Sequence, residues 1–502
     1  MADQLLKDLT LFTPEIALTI TLLAAILADL IFRRVPRVVT VIVLAGLVVT
    51  GILVLMQTGN HDSIFHSMIA VDGFAVFFKL LIVFCTIIIV VFSLGSGELN
   101  VAGRSLGEYY ALLCAAALGM MLMAGASNLL MMYISLELSS MSSYLLSGYT
   151  REAPDASEAS LKYVIYGSLS SGLMLYGISI IYGLTGSLEL SAINQALPAL
   201  LVKGGTASVA LLIAGVLTLA GFGYKISAVP FHFWTPDVYE GAPITLTAFL
   251  SVASKAGGFA MMIRFFKVTF IDAGSVATGV GTWETLQGFQ WVDIVAVLSV
   301  LTMTVGNLVA IWQNNLKRLL AYSSIAHAGY MLMGVVVLGN DGLAAIMVYF
   351  IVYLFMNLGA FYVVMLVADK TGSEDIDTYK GLGARAPLVA VAFAVFLISL
   401  TGLPPTAGFV GKLYLFAALI NHGWIWLAIV GALNSVIALY YYVRIFRNMF
   451  LRPDDQPGGR LTFSAVQVII LLVLLVPTLF FGLYFTPLVD IAQASVGIVG
   501  TP

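Results

Sequence analysis

Apolar runs of bilayer-spanning length recur along this chain with only short polar connections between them, and that recurrence decides its class. A membrane helix needs about 20 predominantly apolar residues, because lipid offers no partner to an unpaired backbone N–H or C=O. Fourteen such stretches are predicted, at approximately 11–32, 37–57, 73–94, 107–124, 127–147, 160–184, 207–229, 243–268, 291–312, 319–338, 342–368, 386–420 (with an interruption after 402), 424–448 and 463–486. Composition agrees: 10% of the residues are charged, against about a quarter in soluble domains. The expected fold is an all-α polytopic membrane protein. Its longest polar connections, 368–387 and 451–460, cannot hold a soluble catalytic domain. Function must therefore rest on groups inside the membrane or at its edge.

The N-terminal residues carry no positive run or small-residue cleavage site, so the first apolar run is expected to be a retained membrane helix. Lysine and arginine set the orientation. Connections after stretches 1, 3, 5, 9, 11 and 13 hold Arg33, Arg34, Arg37, Arg104, Arg151, Lys317, Arg318, Lys370, Lys380, Arg385, Arg444, Arg447, Arg452 and Arg460. The other side has Lys7, Lys203, Arg264 and Lys267. Both termini are accordingly expected on the non-cytoplasmic side.

The remaining five basic residues, Lys79, Lys162, Lys225, Lys255 and Lys412, fall within predicted spans. A lysine at mid-membrane costs about 2.5–3.5 kcal/mol on insertion scales, so it usually faces the bundle interior and serves function. Lys225 and Lys255 stand too deep to reach an interface. Lys225 is followed by Pro230, and Lys412 by seven residues follows the pair Pro404–Pro405, so helices 7 and 12 are each expected to break beside a lysine. The two lysines are 412 − 225 = 187 residues apart. That shift carries helix 7 onto helix 12, an odd number of passages, so two halves related by it must be inverted.

Glu137 is the acidic counterpart, at mid-span among Ser135, Ser139, Ser140, Ser142 and Ser143. A direct Glu137–Lys225 pair at about 4 Å would be worth about 4 kcal/mol at an effective dielectric of 20. Moving or neutralising the carboxylate would then release the lysine's proton. The serines either serve that pair or pack helices. Lys162 either bridges Glu137 to the lysines or snorkels, and Lys79 is expected to snorkel or touch another subunit. His232 and His327 are proton relays or hydrogen-bonded core residues; His61, His66 and His422 lie in loops. Cys85 and Cys114 read as small core residues, with no metal-ligand or disulfide spacing. No residue set suits haem or iron–sulfur ligation, so no cofactor is expected on this chain.

Four segments carry a resemblance: "GFGYKISAVPFHFWTPDVYEGAP" (221–243), "SEASLKYVIYGSLSSGLMLYG" (157–177), "NNLKRLLAYSSIAHAGY" (314–330) and "LTGLPPTAGFVGK" (400–412). They resemble the antiporter-like subunits of respiratory complex I, the proton-translocating NADH:quinone oxidoreductase. The run "WTPDVYEGAP" is similar to the N-type branch (mitochondrial subunit 2 type); the L and M types and the sodium/proton antiporters read closer to "WLPDAH". The resemblance implies an N-terminal three-helix segment (1–106), two inverted five-helix repeats (helices 4–8 in 107–268, helices 9–13 in 291–448) and a last helix (463–486). It implies proton-carrying roles for Glu137, Lys225, Lys255 and Lys412, with Lys162 at the family's helix 6 lysine. Helix 10 offers Ser323, Ser324 and His327 where its mate, helix 5, has a carboxylate.

The same resemblance implies that NADH, FMN, iron–sulfur clusters and quinone reside elsewhere in a larger complex. Implied partners are an M-type antiporter-like subunit, small K/J/A-type subunits and lipid, in a hetero-oligomer without nucleic acid. The implied location is a bacterial plasma (inner) membrane, with the mitochondrial inner membrane as the alternative. Two other functions compete: a cation/proton antiporter subunit of the same fold, which "WTPDVYEGAP" disfavours, and a purely structural subunit, which this many intramembrane charges disfavour.

Overall fold

The computed structural model describes residues 2–32, 36–101, 106–150, 152–203, 205–272, 275, 283–286, 290–453 and 459–500. Among them, 13 helices are long and apolar enough to cross a membrane. One further passage is made by two 15-residue helices, Pro387–Thr401 and Ala407–Asn421, with the double proline between them. Arg33, Arg34, Arg104 and Arg151, four of the basic connection residues, lie outside the described residues.

We number the passages α1 (Thr13–Ile31), α2 (Pro36–Leu55), α3 (Gly73–Gly95), α4 (Leu106–Gly125), α5 (Leu129–Ser147), α6 (Pro154–Thr185), α7a (Thr206–Ile226) with α7b (Trp234–Gly241), and α8 (Ile244–Thr269). Then follow α9 (Trp291–Ala310), α10 (Leu316–Val336), α11 (Asn340–Thr371), α12a (Pro387–Thr401) with α12b (Ala407–Asn421), α13 (Ile425–Leu451) and α14 (Ala465–Leu483). A hairpin of β1 (Asp62–Ile64) and β2 (Ile69–Val71) joins α2 to α3. The sequence reading missed it, because two three-residue strands leave no measurable alternation.

Burial sorts the helices. α8 is buried along its whole length and α10 and α11 nearly so, whereas α1, α2 and α14 present most of their surface outward. A helix apolar on all sides suits the centre of a bundle, and one with an outward apolar face suits lipid or a neighbouring subunit.

The 187-residue shift recurs well beyond the two lysines. Where α4 crosses α5, a Cβ on Gly119 would meet the Ser139 amide nitrogen at 2.6 Å; where α9 crosses α10, one on Gly306 would meet that of Ala326 at 2.6 Å. Only glycine lets these helices approach so closely. Asn128 caps α5 by accepting from the Leu130 N–H, and Asn315 caps α10 by accepting from the Arg318 N–H. α6 and α11 are both 32 residues long and end, one residue off that register, at left-handed glycines, Gly186 and Gly372, inside Thr-Gly-Ser turns. Asn128 bridges to Glu189 and Asn315 to Asp375. The first bridge lies on the face of the β1–β2 hairpin, to which Ala126 pairs through Ile69; the second lies on the lysine- and arginine-rich face. The equivalent halves, α4–α8 and α9–α13, thus run in opposite senses through the bundle.

Two basic residues sit differently from the expectation. Arg264 and Lys267 belong to no connection: both lie within α8 with fully buried side chains. Each is tolerated because it is paired. Arg264 donates to both carboxylate oxygens of Asp72 at 2.8 and 2.9 Å, and Lys267 donates to the Val337 carbonyl at 2.8 Å beneath the Trp283 ring. Asp72 also caps α3 through the Ala75 N–H and accepts from the Val499 N–H, so one carboxylate ties α3, α8 and the C-terminal segment together. Burial works against this charge, but the Arg264 guanidinium and the two amides outweigh it, holding the carboxyl below the usual range.

Candidate functional site

α7a ends at Ile226, where Ser227 turns left-handed and the Ala228 N–H reaches back to the Gly223 carbonyl at 2.7 Å. The proline-containing segment then runs to α7b. Backbone freed by the break is satisfied from neighbouring elements, as a membrane interior requires. The Val229 N–H donates to Thr302 Oγ1 of α9 at 3.0 Å, and Trp234 Nε1–H donates to the Tyr224 carbonyl at 3.1 Å. Lys225 occupies the last turn of α7a, where the partial negative charge of a helix C-terminus favours a cation. Its stem lies against α8, since a Cβ on Gly258 would stand 3.1 Å from the Lys225 Cγ.

The Lys225 ammonium does not touch Glu137. Its Nζ donates to Ser139 Oγ at 2.9 Å and Ser140 Oγ at 3.2 Å. Glu137 stands on the same helix, two and three residues before these serines. Its Oε1 is buried with no hydrogen-bond partner among the described residues. The expected direct pair is not formed: the ammonium rests on two serine hydroxyls of the helix that carries Glu137. Ser139 and Ser140 hold the lysine as well as packing the helices.

In α8, residues Leu250–Ser254 form a π-helical turn immediately before Lys255. Such turns displace one residue's direction and frequently mark functional positions. Lys255 Nζ donates to the Ser324 carbonyl of α10 at 2.5 Å, so the last helix of the first half reaches into the second. Ser324 is the 187-shift equivalent of Glu137, and His327 that of Ser140. His327 lies between two tyrosines: its Nδ1 is 2.6 Å from the Tyr349 hydroxyl and its Nε2 3.5 Å from that of Tyr442, which is itself 2.5 Å from Ser323 Oγ.

Lys412, in the second turn of α12b, donates to the Thr401 carbonyl at 2.8 Å and to Ser435 Oγ at 3.0 Å. Thr401 is the last residue of α12a, so this carbonyl is one that the helix break leaves unpaired. Gly402 makes the geometry possible twice over: its φ of 88° is left-handed, and a Cβ there would meet the Lys412 stem at 2.6 Å. The ammonium also lies 4.3 Å from the centre of the Tyr330 ring. The Tyr330 hydroxyl accepts from Asn307, whose side chain also joins Asn434 and Tyr441.

The structure therefore places Glu137, Ser139, Ser140, Lys225 and Lys255 in the first half, and the α10 residues Ser323–His327, tyrosines and Lys412 in the second, with Lys255 bonded across to Ser324. Two further expected relays, Lys162 and His232, have other surroundings. Lys162 is half exposed and binds Glu158 at 2.8 Å and Asp237 at 2.6 Å, rather than bridging Glu137 to the lysines. Asp237 and Glu240 of α7b in turn bind Arg318 at 2.8 and 2.6 Å. This network straps α7b to α6 and α10. His232 is buried in the α7 break, with its Nδ1 lacking a hydrogen-bond partner among the described residues. Lys79 neither snorkels nor faces outward: it forms a buried 2.7 Å pair with Glu15 of α1. Its burial two turns into α3 forced some partner, but Glu15 reads in sequence as an ordinary first-turn acid.

The tyrosines, Asn307 and Asn434 carry no signal in the sequence, since tyrosine and asparagine in membrane helices are common packing residues. Lys317 reads as a loop residue but is buried, donating to the Ala242 carbonyl at 3.0 Å and pairing with Glu374 at 2.9 Å. It stands in a polar cleft of about 620 Å³ on the lysine- and arginine-rich face, lined also by Glu98, Glu240, Asn315, Asp369 and Glu374.

The family model described as "NADH:quinone oxidoreductase/Mrp antiporter, TM" matches residues 126–438. NADH-quinone oxidoreductase subunit N 2 of Chloroherpeton thalassium is 49% identical over 97% of this chain and 94% of its own length. Among solved structures, a chain of respiratory complex I from Thermus thermophilus with bound aureothin superposes with a TM-score of 0.76 at 31% identity, over 96% of this chain and 99% of that one. A chain of the Mrp complex from Dietzia shares the fold, with a TM-score of 0.80 at 22% identity over 98% of both. Breaks, buried lysines and sequence likeness converge on one conclusion: the chain belongs to the NADH:quinone oxidoreductase/Mrp antiporter membrane family, alongside the N subunits of NADH-quinone oxidoreductase.

Proposed function

We propose that this chain is a proton-translocating subunit of the membrane arm of an NADH:quinone oxidoreductase. Electron transfer from NADH to quinone, in other subunits, drives it. One observation carries the reading: Lys225 and Lys412 are held by neutral hydroxyl oxygens at helix breaks instead of by carboxylates. A serine hydroxyl accepts from an ammonium and can equally donate to a neutral amine, so it serves both protonation states; a carboxylate can only accept. Glu137 supplies the charge that biases the first of these lysines. Protons then pass between Lys225, Lys255 and Lys412, with His327 and its tyrosines beside the later steps. Lys162 contributes by fixing α7b, and His232 stands in the break as a second proton acceptor.

The lysine- and arginine-rich face is the cytoplasmic one in this reading, with both termini opposite it, in a bacterial plasma membrane. Residues 107–268 and 291–448 act as the two inverted units. The apolar outer faces of α1, α2 and α14 meet lipid or neighbouring subunits, among them an M-type antiporter-like chain and small K/J/A-type chains. NADH, FMN, iron–sulfur clusters and quinone belong to the rest of the complex. A tag on this chain, followed by mild extraction, tests the assignment. NADH:quinone activity with flavin and iron–sulfur absorbance should co-purify in constant ratio. A chain isolated repeatedly with cation/proton exchange and without those cofactors overturns it.

A further inference from the structure

An apolar trough of about 480 Å³ opens on the outside of the bundle, on the side of the β1–β2 hairpin and away from the line of buried lysines. α3 is its floor, through Val76, Phe77 and Leu80, which recur at the spacing of one helix face. Leu55 of α2 and Ile351 of α11 stand on either side. At the deep end lie Phe84 and Phe355, whose ring centres are 6.0 Å apart in an edge-to-face contact. Protein interiors are normally packed without such gaps, and the volume falls in the range of sites that hold a small organic ligand.

Depth and polarity identify what fits. Phe84 stands 84 − 73 = 11 residues into α3, about 16 Å below its start. The hydrocarbon core is about 30 Å thick, so the trough reaches through one leaflet and stops at mid-membrane. A neighbouring subunit's membrane helix must cross both leaflets and would pass over such a trough. A hydrocarbon chain anchored at the surface matches its length. At the mouth the lining turns polar, with Thr58 and the exposed His61 from the connection after α2 and Ser495 from the end of the C-terminal helix Thr486–Ala494. No acidic residue lines the trough, and the nearby Asp62 is taken by Lys7 at 3.0 Å. The mouth therefore offers hydrogen-bond donors to an anion without an opposing carboxylate.

We propose that this trough is a binding site for one phospholipid of the hairpin-side leaflet, with an acyl chain laid along α3 between α2 and α11 and the phosphate at His61 and Thr58. Lipid tails are as apolar as leucine, so leaving the bilayer for the trough brings the chain no hydrophobic gain. Retention rests on two other terms: the many close contacts of a chain enclosed on three sides, and the hydrogen bonds of the phosphate to the imidazole N–H and the threonine hydroxyl. The bound chain completes packing between the N-terminal helices and α11 that side chains leave open.

Photolabelling of the intact complex tests the site. The complex is reconstituted with phosphatidylglycerol carrying a diazirine in one acyl chain, washed in mild detergent to strip loosely held lipid, irradiated and digested for mass spectrometry. Lipid adducts on 76–84 of α3 and 351–355 of α11 should exceed several-fold those on the outward faces of α2 and α14, where Val48 and Val473 are exposed. Trough labelling no higher than on those faces overturns the proposal, because the lipid there is then only annular. Leu80→Trp fills the trough and should abolish its adducts while those on α2 and α14 persist. His61→Leu, at an exposed position where folding is not at stake, should lower the retained label several-fold. Trough labelling unchanged in His61→Leu, or in an assembled Leu80→Trp complex, overturns the proposal as well.

Discussion

A lysine inside a membrane protein can be stabilised by a carboxylate or by neutral oxygens, and the two choices have different consequences. A carboxylate partner fixes the cation, as at Arg264 with Asp72 and Lys79 with Glu15, where breaking the buried pair would cost about 3–5 kcal/mol. Lys225 instead rests on Ser139 and Ser140, on the helix that carries Glu137. If those hydroxyls mediate proton release, Ser139→Ala with Ser140→Ala should slow proton pumping by an order of magnitude or less, and the complex should still assemble. Helix packing alone predicts normal pumping in the same variant, measured by vesicle acidification. Lys225, Lys255, Lys412 and Glu137 were legible in sequence because charge within an apolar run is a strong signal. Their partners were not. Serine, tyrosine and asparagine carry no such signal in a membrane helix, and only the fold shows that Tyr349 meets His327 or that Ser435 meets Lys412.

At the scale of elements, the breaks of α7 and α12 were readable from proline, and both lie where expected. The fourteen passages also follow from apolar length alone, including the split twelfth. Less legible were the π-helical turn of α8 and the burial of Arg264 and Lys267 near its end. Neither a π turn nor a partner on α3 leaves a local trace in α8. The equivalence of the halves rests on crossings of helix pairs, and these are testable. Gly119→Ala and Gly306→Ala should each destabilise the complex by about 1–3 kcal/mol, because the new methyl meets backbone that must move. Gly172→Ala, in the exposed middle of α6 with nothing within 4 Å, should leave stability unchanged or slightly raised. Thermal unfolding of the purified complex separates them. Equal melting temperatures for all three variants would contradict the close-crossing account.

For the whole molecule, the arrangement is a bundle centred on α8, α10 and α11, with outward-facing helices around it and buried lysines in both halves. The halves are not copies in chemistry: Glu137 of the first corresponds to Ser324 of the second, and Ser140 to His327. Serine hydroxyls hold Lys225, a backbone carbonyl holds Lys255, and a carbonyl with a serine hydroxyl holds Lys412 beside the Tyr330 ring, so each lysine has a different set of partners. Sequence alone showed this asymmetry as a missing acid. The structure shows what stands in its place. The most direct test of the account is the number of protons translocated per NADH oxidised by intact complex reconstituted in vesicles, compared between unmodified protein and Lys225→Ala. The account predicts a lower ratio in a variant that assembles with its full flavin content. An unchanged ratio would contradict it.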